Sequence, residues 1–380
     1  MSDEDELLGL YYYRQGENIY REYELNEQLS DLGDLVKNYC NSENLHFLIG
    51  SGCSLPSIKL MGETFKTIKT NELNSNLQIL GKFSEEDNLD IESYLNWLSN
   101  AIVFYDENEE GEKFREAFNS TKRALVKSIN QNYEDLSNEK TRNTLNNYKE
   151  FYNNIFMQRE YFKKSPVNIF TTNYDLFNEV AMEQLSINYT NGFRGTVNRV
   201  FDPSAFRLRL VDDENRYKDK WDIVRKYIKL YKIHGSIDWK LGADSNNIYQ
   251  SYVSEDNYRD VMIYPTINKH YETLQTPYSE LFREFATNLQ KINSTLFVIG
   301  YGFPDNHINQ MISQSLNNDH FNLIVFGDRE EMGAQEFIKL HSDKPNFHFI
   351  GGTLDNDGNK GHYFANVIKY LSYGDENIEK

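Results

Sequence analysis

Leu45-His46-Phe47-Leu48-Ile49, followed at once by Gly50-Ser51-Gly52-Cys53-Ser54, is the stretch that decides the fold. A short run that is apolar almost throughout and closed by glycine and small polar residues marks a strand buried on both faces. Such strands belong to parallel sheets covered by helices on either side. Five further runs have the same character: Val167 to Phe170, Tyr227 to Ile233, Leu296 to Ile299, Leu323 to Phe326 and Phe347 to Ile350. Most of the intervals between them are long enough for the crossover helices that parallel neighbours need. The expected fold is α/β, a doubly wound Rossmann-like parallel sheet of about six strands.

Between the first two strands the texture changes. The interval from Glu85 to Lys163 is charged, Asn-rich and helix-forming, with Ile91, Tyr94, Leu95 and Leu98 spaced to share one helix face. This predicts a helical insertion over 85–163, set into a main domain made of 1–84 and 164–380. Thr196 to Asp222, with Pro203 and mixed charge, reads as a loop carrying short elements, and Gln250 to Thr276 reads the same way. Repeats, low-complexity tracts and long Pro/Gly linkers are missing, so the insertion is expected to pack against the main domain.

The chain of 380 residues is 39% apolar and 14% aromatic, ample for a folded core. Asp and Glu total 58 against 40 for Lys and Arg, a formal charge of -18. A surface so acidic repels phosphate backbones and anionic lipid, which argues against direct nucleic-acid or membrane binding. An anionic cofactor is still allowed, because a local nest of backbone N–H groups holds phosphate whatever the global charge. Cys40 and Cys53 are the only cysteines, too few for a disulfide framework or a four-thiolate zinc site. His and acidic residues show no ligand spacing, so no metal is expected. The acidic start Met1-Ser2-Asp3-Glu4-Asp5-Glu6 is unlike a signal peptide, and no apolar run approaches the ~18 residues of a membrane span. A cytoplasmic protein is expected.

Ligands of open parallel sheets bind outside the carboxyl ends of the strands, so the residues after each strand carry the functional signal. Gly50 and Gly52 would let a backbone turn approach a pyrophosphate, with Ser51 and Ser54 offering hydroxyls; a tight strand-to-loop turn would use the same residues. The second strand leads into Thr171-Thr172-Asn173-Tyr174-Asp175, where Asn173 and Asp175 would point to one side of an extended chain. That pair can orient a ribose, a carboxamide or a water, or simply make an Asx turn or helix cap. His234, ahead of Gly235-Ser236, would accept a proton from a hydroxyl or a water at neutral pH, or serve as a capped structural residue. Gly300-Tyr301-Gly302 could contact phosphate or ribose, and Asp328 could hold the hydroxyls of a ribose or cap a turn. Asp305 and His307 lie near them with roles left open. His46 is assigned to the sheet interior, while His348 has no context that points to a role.

Taken in order, Gly50-Ser51-Gly52-Cys53-Ser54, Thr171-Thr172-Asn173-Tyr174-Asp175, Lys232-Ile233-His234-Gly235, Gly300-Tyr301-Gly302 and Phe326-Gly327-Asp328 resemble the motifs of the sirtuin superfamily. Within it they are similar to the bacterial sirtuin-like effectors of anti-phage defence. The resemblance runs from Gly50 to about Gly352. It implies NAD+ as substrate, Asn173, Asp175 and His234 as catalytic residues, and Gly50, Ser51, Gly52, Ser54, Thr172, Gly300, Gly302 and Asp328 as dinucleotide contacts. Sirtuin deacylases usually carry a four-cysteine zinc module after the histidine, and this chain has no cysteine beyond Cys53. The resemblance therefore implies NAD+ hydrolysis to nicotinamide and ADP-ribose, without zinc, ahead of protein deacylation. It also implies NAD depletion as a route to abortive infection, a homo-oligomer, and a HerA-type ATPase as partner. Two other functions remain open: a non-catalytic sensor of NAD or ADP-ribose, and a dehydrogenase, although Cys53-Ser54-Leu55 breaks the full G-x-G-x-x-G pattern the latter needs. The tyrosines Tyr11, Tyr12, Tyr13, Tyr20 and Tyr23 would form a contact surface or pack on their own domain.

Overall fold

The computed structural model describes residues 8–71, 77–83, 91–105, 108–135, 137–159, 165–242, 247–251 and 277–372. The chain opens with β1 (Gly9–Arg14), β2 (Glu17–Asn18), α1 (Leu25–Cys40) and β3 (Asn44–Ile49), then a 3-10 turn over Ser51–Ser54. Five helices follow: α2 (Met61–Asn71), α3 (Leu77–Phe83), α4 (Ile91–Tyr105), α5 (Glu109–Ile129) and α6 (Glu139–Gln158). The chain returns to the sheet through β4 (Val167–Thr171), α7 (Phe177–Gln184) and β5 (Asn188–Thr190). Short strands come next, β6 (Phe193–Arg194), β7 (Arg199–Phe201), β8 (Val211–Tyr217) and β9 (Lys220–Ile223), before β10 (Tyr227–Lys232), β11 (Trp239–Leu241) and β12 (Ile248–Gln250). The remaining elements are α8 (Tyr278–Leu289), β13 (Ser294–Ile299), α9 (Asn306–Ser315), β14 (Phe321–Phe326), α10 (Met332–His341), β15 (Phe347–Thr353) and α11 (Phe364–Ser372).

The central sheet has nine strands in the order β2-β1-β15-β14-β13-β3-β4-β10-β5. From β15 to β5 every neighbouring pair is parallel, while β1 lies antiparallel to both β15 and β2. The parallel part begins at β3, steps to β4 and on to the edge strand β5, returns to β10 between them, then crosses back to β13 on the other side of β3 and winds outward again. This is the doubly wound arrangement, with its switch point between β3 and β13.

All six expected strands are present and form the middle of the sheet. Three more, β1, β2 and β5, extend it, so a count of six was too low. Side chains alternate between two cores: on β13 Phe297 and Ile299 face one and Leu296 and Val298 the other, and on β10 Ile228 and Leu230 oppose Tyr231 and Ile233. Burial of both faces is what makes these runs apolar throughout. The first core includes Val36 of α1, Phe151 of α6 and Val367 of α11; the second includes Phe285 of α8, Ile308 of α9 and Phe337 of α10.

Ile91, Tyr94, Leu95 and Leu98 are all buried, as their spacing predicts, in a third cluster shared with Phe65 of α2 and Phe114 and Leu125 of α5. Tyr174 and Ile237, from the loops after β4 and β10, enter this same cluster. Helix α6 packs instead on the sheet. Thr196 to Asp222 does carry short elements, whereas residues 252–276 lie outside the described residues. The tyrosines of β1 pack on their own fold: Tyr12 and Tyr20 are buried, and Tyr12 Oη lies 2.6 Å from His348 Nδ1. His46 sits in the interior, its Nε2 2.8 Å from Ser294 Oγ. Among the described residues no helix is long and apolar enough to cross a membrane.

Candidate active site

The carboxyl ends of β13, β3, β4 and β10 lie side by side, and the loops that leave them meet. At the switch point the turn after β3 closes against the turn after β13. Gly50 N donates to Ile299 O at 2.9 Å, and Gly52 N to Gly300 O at 2.9 Å. The approach is close enough to require glycine. A Cβ on Gly50 would stand 2.3 Å from Gly300 O, and one on Gly300, whose φ is +64°, would stand 2.6 Å from Cys53 N. These glycines therefore have a packing reason of their own.

Asn173 is buried one turn beyond β4. Its backbone N–H donates to Thr171 Oγ1 at 3.0 Å, and its Nδ2 donates to Gly50 O at 2.9 Å and Ser54 Oγ at 3.1 Å. Both amide protons are thus used to tie the loops together, and the group left to present to a ligand is the carbonyl Oδ1. Asp175 faces inward. Its Oδ2 accepts from Ser54 Oγ at 2.7 Å and its Oδ1 from Phe177 N at 3.1 Å, which starts α7. Burial raises the Asp175 carboxyl above its ordinary pKa, against the opposing effects of the Lys232 charge and the Ser54 hydrogen bond. Tyr148 Oη, reaching across from α6, lies 3.2 Å from Ser54 Oγ.

Ser54 and Asp175 are therefore spent inside the protein. Ser54 is 1% exposed, with its one proton on Asp175 and its lone pairs toward Asn173 and Tyr148. Through these bonds the two residues support Asn173. Ser51 is exposed at the start of the turn, and Thr172 N donates to Ile49 O at 3.3 Å, binding the loop after β4 to the end of β3.

His234 is the second residue after β10. Gly235 behind it has φ +88° and donates its N–H to Lys232 O at 3.0 Å, so the chain reverses tightly at the histidine. The buried imidazole lies between aromatic rings, with its centroid 6.5 Å from Tyr174 and 6.4 Å from Phe282. Tyr174 belongs to the Asn173 turn, so the two turns are neighbours. His307 packs edge-on against Phe282, at 4.6 Å.

Gly302 and Asp328 stand apart from this group, over β13 and β14. A Cβ on Gly302 would lie 2.3 Å from Glu331 Oε2, and Asp328 Oδ1 accepts from Glu330 N at 3.0 Å in an Asx turn. The loop holding Asp328 is gripped by β1: Tyr11 Oη donates to Gly327 O at 3.1 Å and accepts from Arg329 N at 2.9 Å. Tyr148 carries no signal in the sequence, while Tyr174 and Lys232 stand inside the motifs without a role assigned to them. For Lys232 a signal was present, since a lysine inside an otherwise apolar strand requires a partner.

No cluster of three or more His, Cys, Asp or Glu side chains suited to a metal ion occurs among the described residues. No curated protein matches the chain. Residues 167–347, which hold Asn173, Asp175, His234, Gly300, Gly302 and Asp328 but begin after the Gly50 turn, match the family model of the SIR2-like domain, and over that stretch the chain is similar to a family of domains that use NAD+.

Proposed function

We propose that the chain is an NAD+ hydrolase that releases nicotinamide and ADP-ribose. The observation that carries this reading is the meeting of the Asn173 turn, the His234 turn and the Gly50–Gly300 contact at the switch point of a doubly wound sheet, where such folds take dinucleotides. NAD+ fits the residues there: a glycine turn with exposed Ser51 on the phosphate side, an amide carbonyl and an imidazole on the ribose side.

In this reading Gly50, Ser51, Gly52, Thr172 and Gly300 cradle the pyrophosphate and nicotinamide ribose, with Gly302 and Asp328 at the adenosine end. Asn173 Oδ1 orients the nicotinamide ribose or the attacking water. Ser54 and Asp175 hold Asn173 in place. The bond from C1′ to the pyridinium nitrogen breaks with its electron pair going to nicotinamide, which leaves an oxocarbenium-like centre. Water adds at C1′ and its proton passes to His234, a general-base role typically worth ~10²- to 10⁴-fold. Residues 1–84 and 164–380 make the NAD-binding body. The helical block 85–163 packs on it in two ways: α6 lies on the sheet, with Tyr148 reaching Ser54, and α4 and α5 share a core with α2, Tyr174 and Ile237 of the body. The resemblance described above leads us to place this activity in bacterial anti-phage defence, in a homo-oligomer controlled by a HerA-type ATPase.

Product analysis is the test. Incubation with NAD+ and no acylated peptide should yield nicotinamide and ADP-ribose in equal amounts. NAD+ that binds and stays intact, alone and with candidate partners, would favour a sensor. Turnover only with an acylated peptide would favour a deacylase.

A further inference from the structure

We propose that Lys232 is a positioning residue for this site, fixing the carbonyl groups of Tyr174 and Asp175 and thereby setting the Asn173 turn against the His234 turn. The inference deepens the hydrolase reading and rests on it.

Lys232 ends β10 and is 1% exposed. Its ammonium has three protons and three acceptors: Tyr174 O at 3.3 Å, Asp175 O in a short contact, and Glu179 Oε1 of α7 at 3.2 Å. Tyr174 O also accepts from Ile237 N at 3.1 Å and Ser236 Oγ at 3.3 Å, so all three of its donors come from β10 or the loop that follows it. One carbonyl thus joins the segment carrying Asn173 to the segment carrying His234. Apart from the ion pair with Lys232, the Glu179 carboxylate has no hydrogen-bond partner among the described residues, which leaves the lysine as its counter-charge.

Stability does not explain this arrangement. A buried ion pair can often be replaced by apolar residues of similar volume at no cost or with a gain. An apolar side chain at 232 would fill the space yet hold neither carbonyl. A lysine kept here serves geometry, and catalytic groups must be held to a fraction of an ångström to act together.

The test uses the full chain and compares wild type, Lys232→Met and the paired variant Lys232→Met/Glu179→Leu. The single variant strands the Glu179 carboxylate and should lower the melting temperature; the paired variant removes both charges and should recover it. Nicotinamide release is measured across NAD+ concentrations, and the crystal structure of the paired variant is solved. Positioning predicts a paired variant that is stable, with KM within about threefold of wild type, kcat lowered about 10²-fold, and the bond from Asn173 Nδ2 to Gly50 O broken. A kcat equal to wild type with that bond intact overturns the proposal. If the paired variant does not fold, Lys232→Gln, which keeps two donors, should give an intermediate kcat, and an unchanged kcat there also overturns it. If wild type itself releases no nicotinamide under any condition, the hydrolase reading fails. The clamp is then judged by the Asn173 bond in the variant structure: broken supports it, intact overturns it.

Discussion

Ser54 donates its hydroxyl proton to Asp175 Oδ2 at 2.7 Å, joining the turn after β3 to the turn after β4 across 121 positions of sequence. Ser54 Oγ in turn accepts from Asn173 Nδ2, so one hydroxyl organises both polar side chains of the second motif. Ser54→Ala leaves a buried carboxylate oxygen and a buried amide proton without partners. The expected cost is about 1–3 kcal/mol of stability. A fall in nicotinamide release beyond the loss of folded protein should accompany it, because the Asn173 side-chain amide keeps only its bond to Gly50 O. Denaturant titration and turnover of the same preparation check both; full activity with unchanged stability would contradict the arrangement.

Gly300 combines a left-handed backbone with a close approach at the switch-point contact. Gly300→Ala would force a side chain into the left-handed region at φ +64° and place its Cβ 2.6 Å from Cys53 N. The expected loss is about 1–3 kcal/mol from backbone strain, with the steric displacement of the Cys53 turn in addition. Gly358→Ala is the control: it has φ +83° but nothing within 4 Å of the added Cβ, so it should show the strain without the displacement. Melting temperatures compare the two, and equal losses would argue against the loop contact.

Two buried histidines predict an acid sensitivity. Burial pushes the His46 imidazole down to about 3 and that of His348 down to about 4. Each folded value lies below the ordinary value of about 6.5, so the unfolded chain takes up protons that the folded chain refuses. Stability is complete above about pH 6.5 and falls as pH drops below it, by up to ~1.4 kcal/mol per pH unit for each histidine, until each folded group titrates. Urea midpoints measured between about pH 7 and pH 5 should show this slope reduced by Glu179, whose carboxyl burial raises to about 7 and which contributes with the opposite sign. His46→Gln and His348→Gln should each flatten it, and slopes identical to wild type would contradict the assignment.

The parallel core was legible because burial on both faces leaves an uninterrupted apolar run, as in Leu323 to Phe326. Strand β5 was not, since Asn188–Thr190 is a three-residue edge strand with only partial burial. Strand β1 escaped for a different reason. Its tyrosines alternate between buried and half-buried positions, and its partner β15 lies near the other end of the chain. The candidate site was legible as a set of loop motifs, because strand ends reveal which residues share one edge of the sheet. Which of those residues face a ligand was not legible. Ser54 and Asp175 look like ligand groups in sequence and are hydrogen-bonded to each other in the fold, while the contact of Tyr148 with Ser54 is one that no local pattern encodes.

Nicotinamide release from NAD+ by the purified chain, alone and with candidate partners, beside Asn173→Ala and His234→Ala variants shown to be folded, tests the central claim most directly. The account predicts release by wild type and a loss of at least about 10²-fold in each variant. Release that survives either substitution unchanged would contradict it.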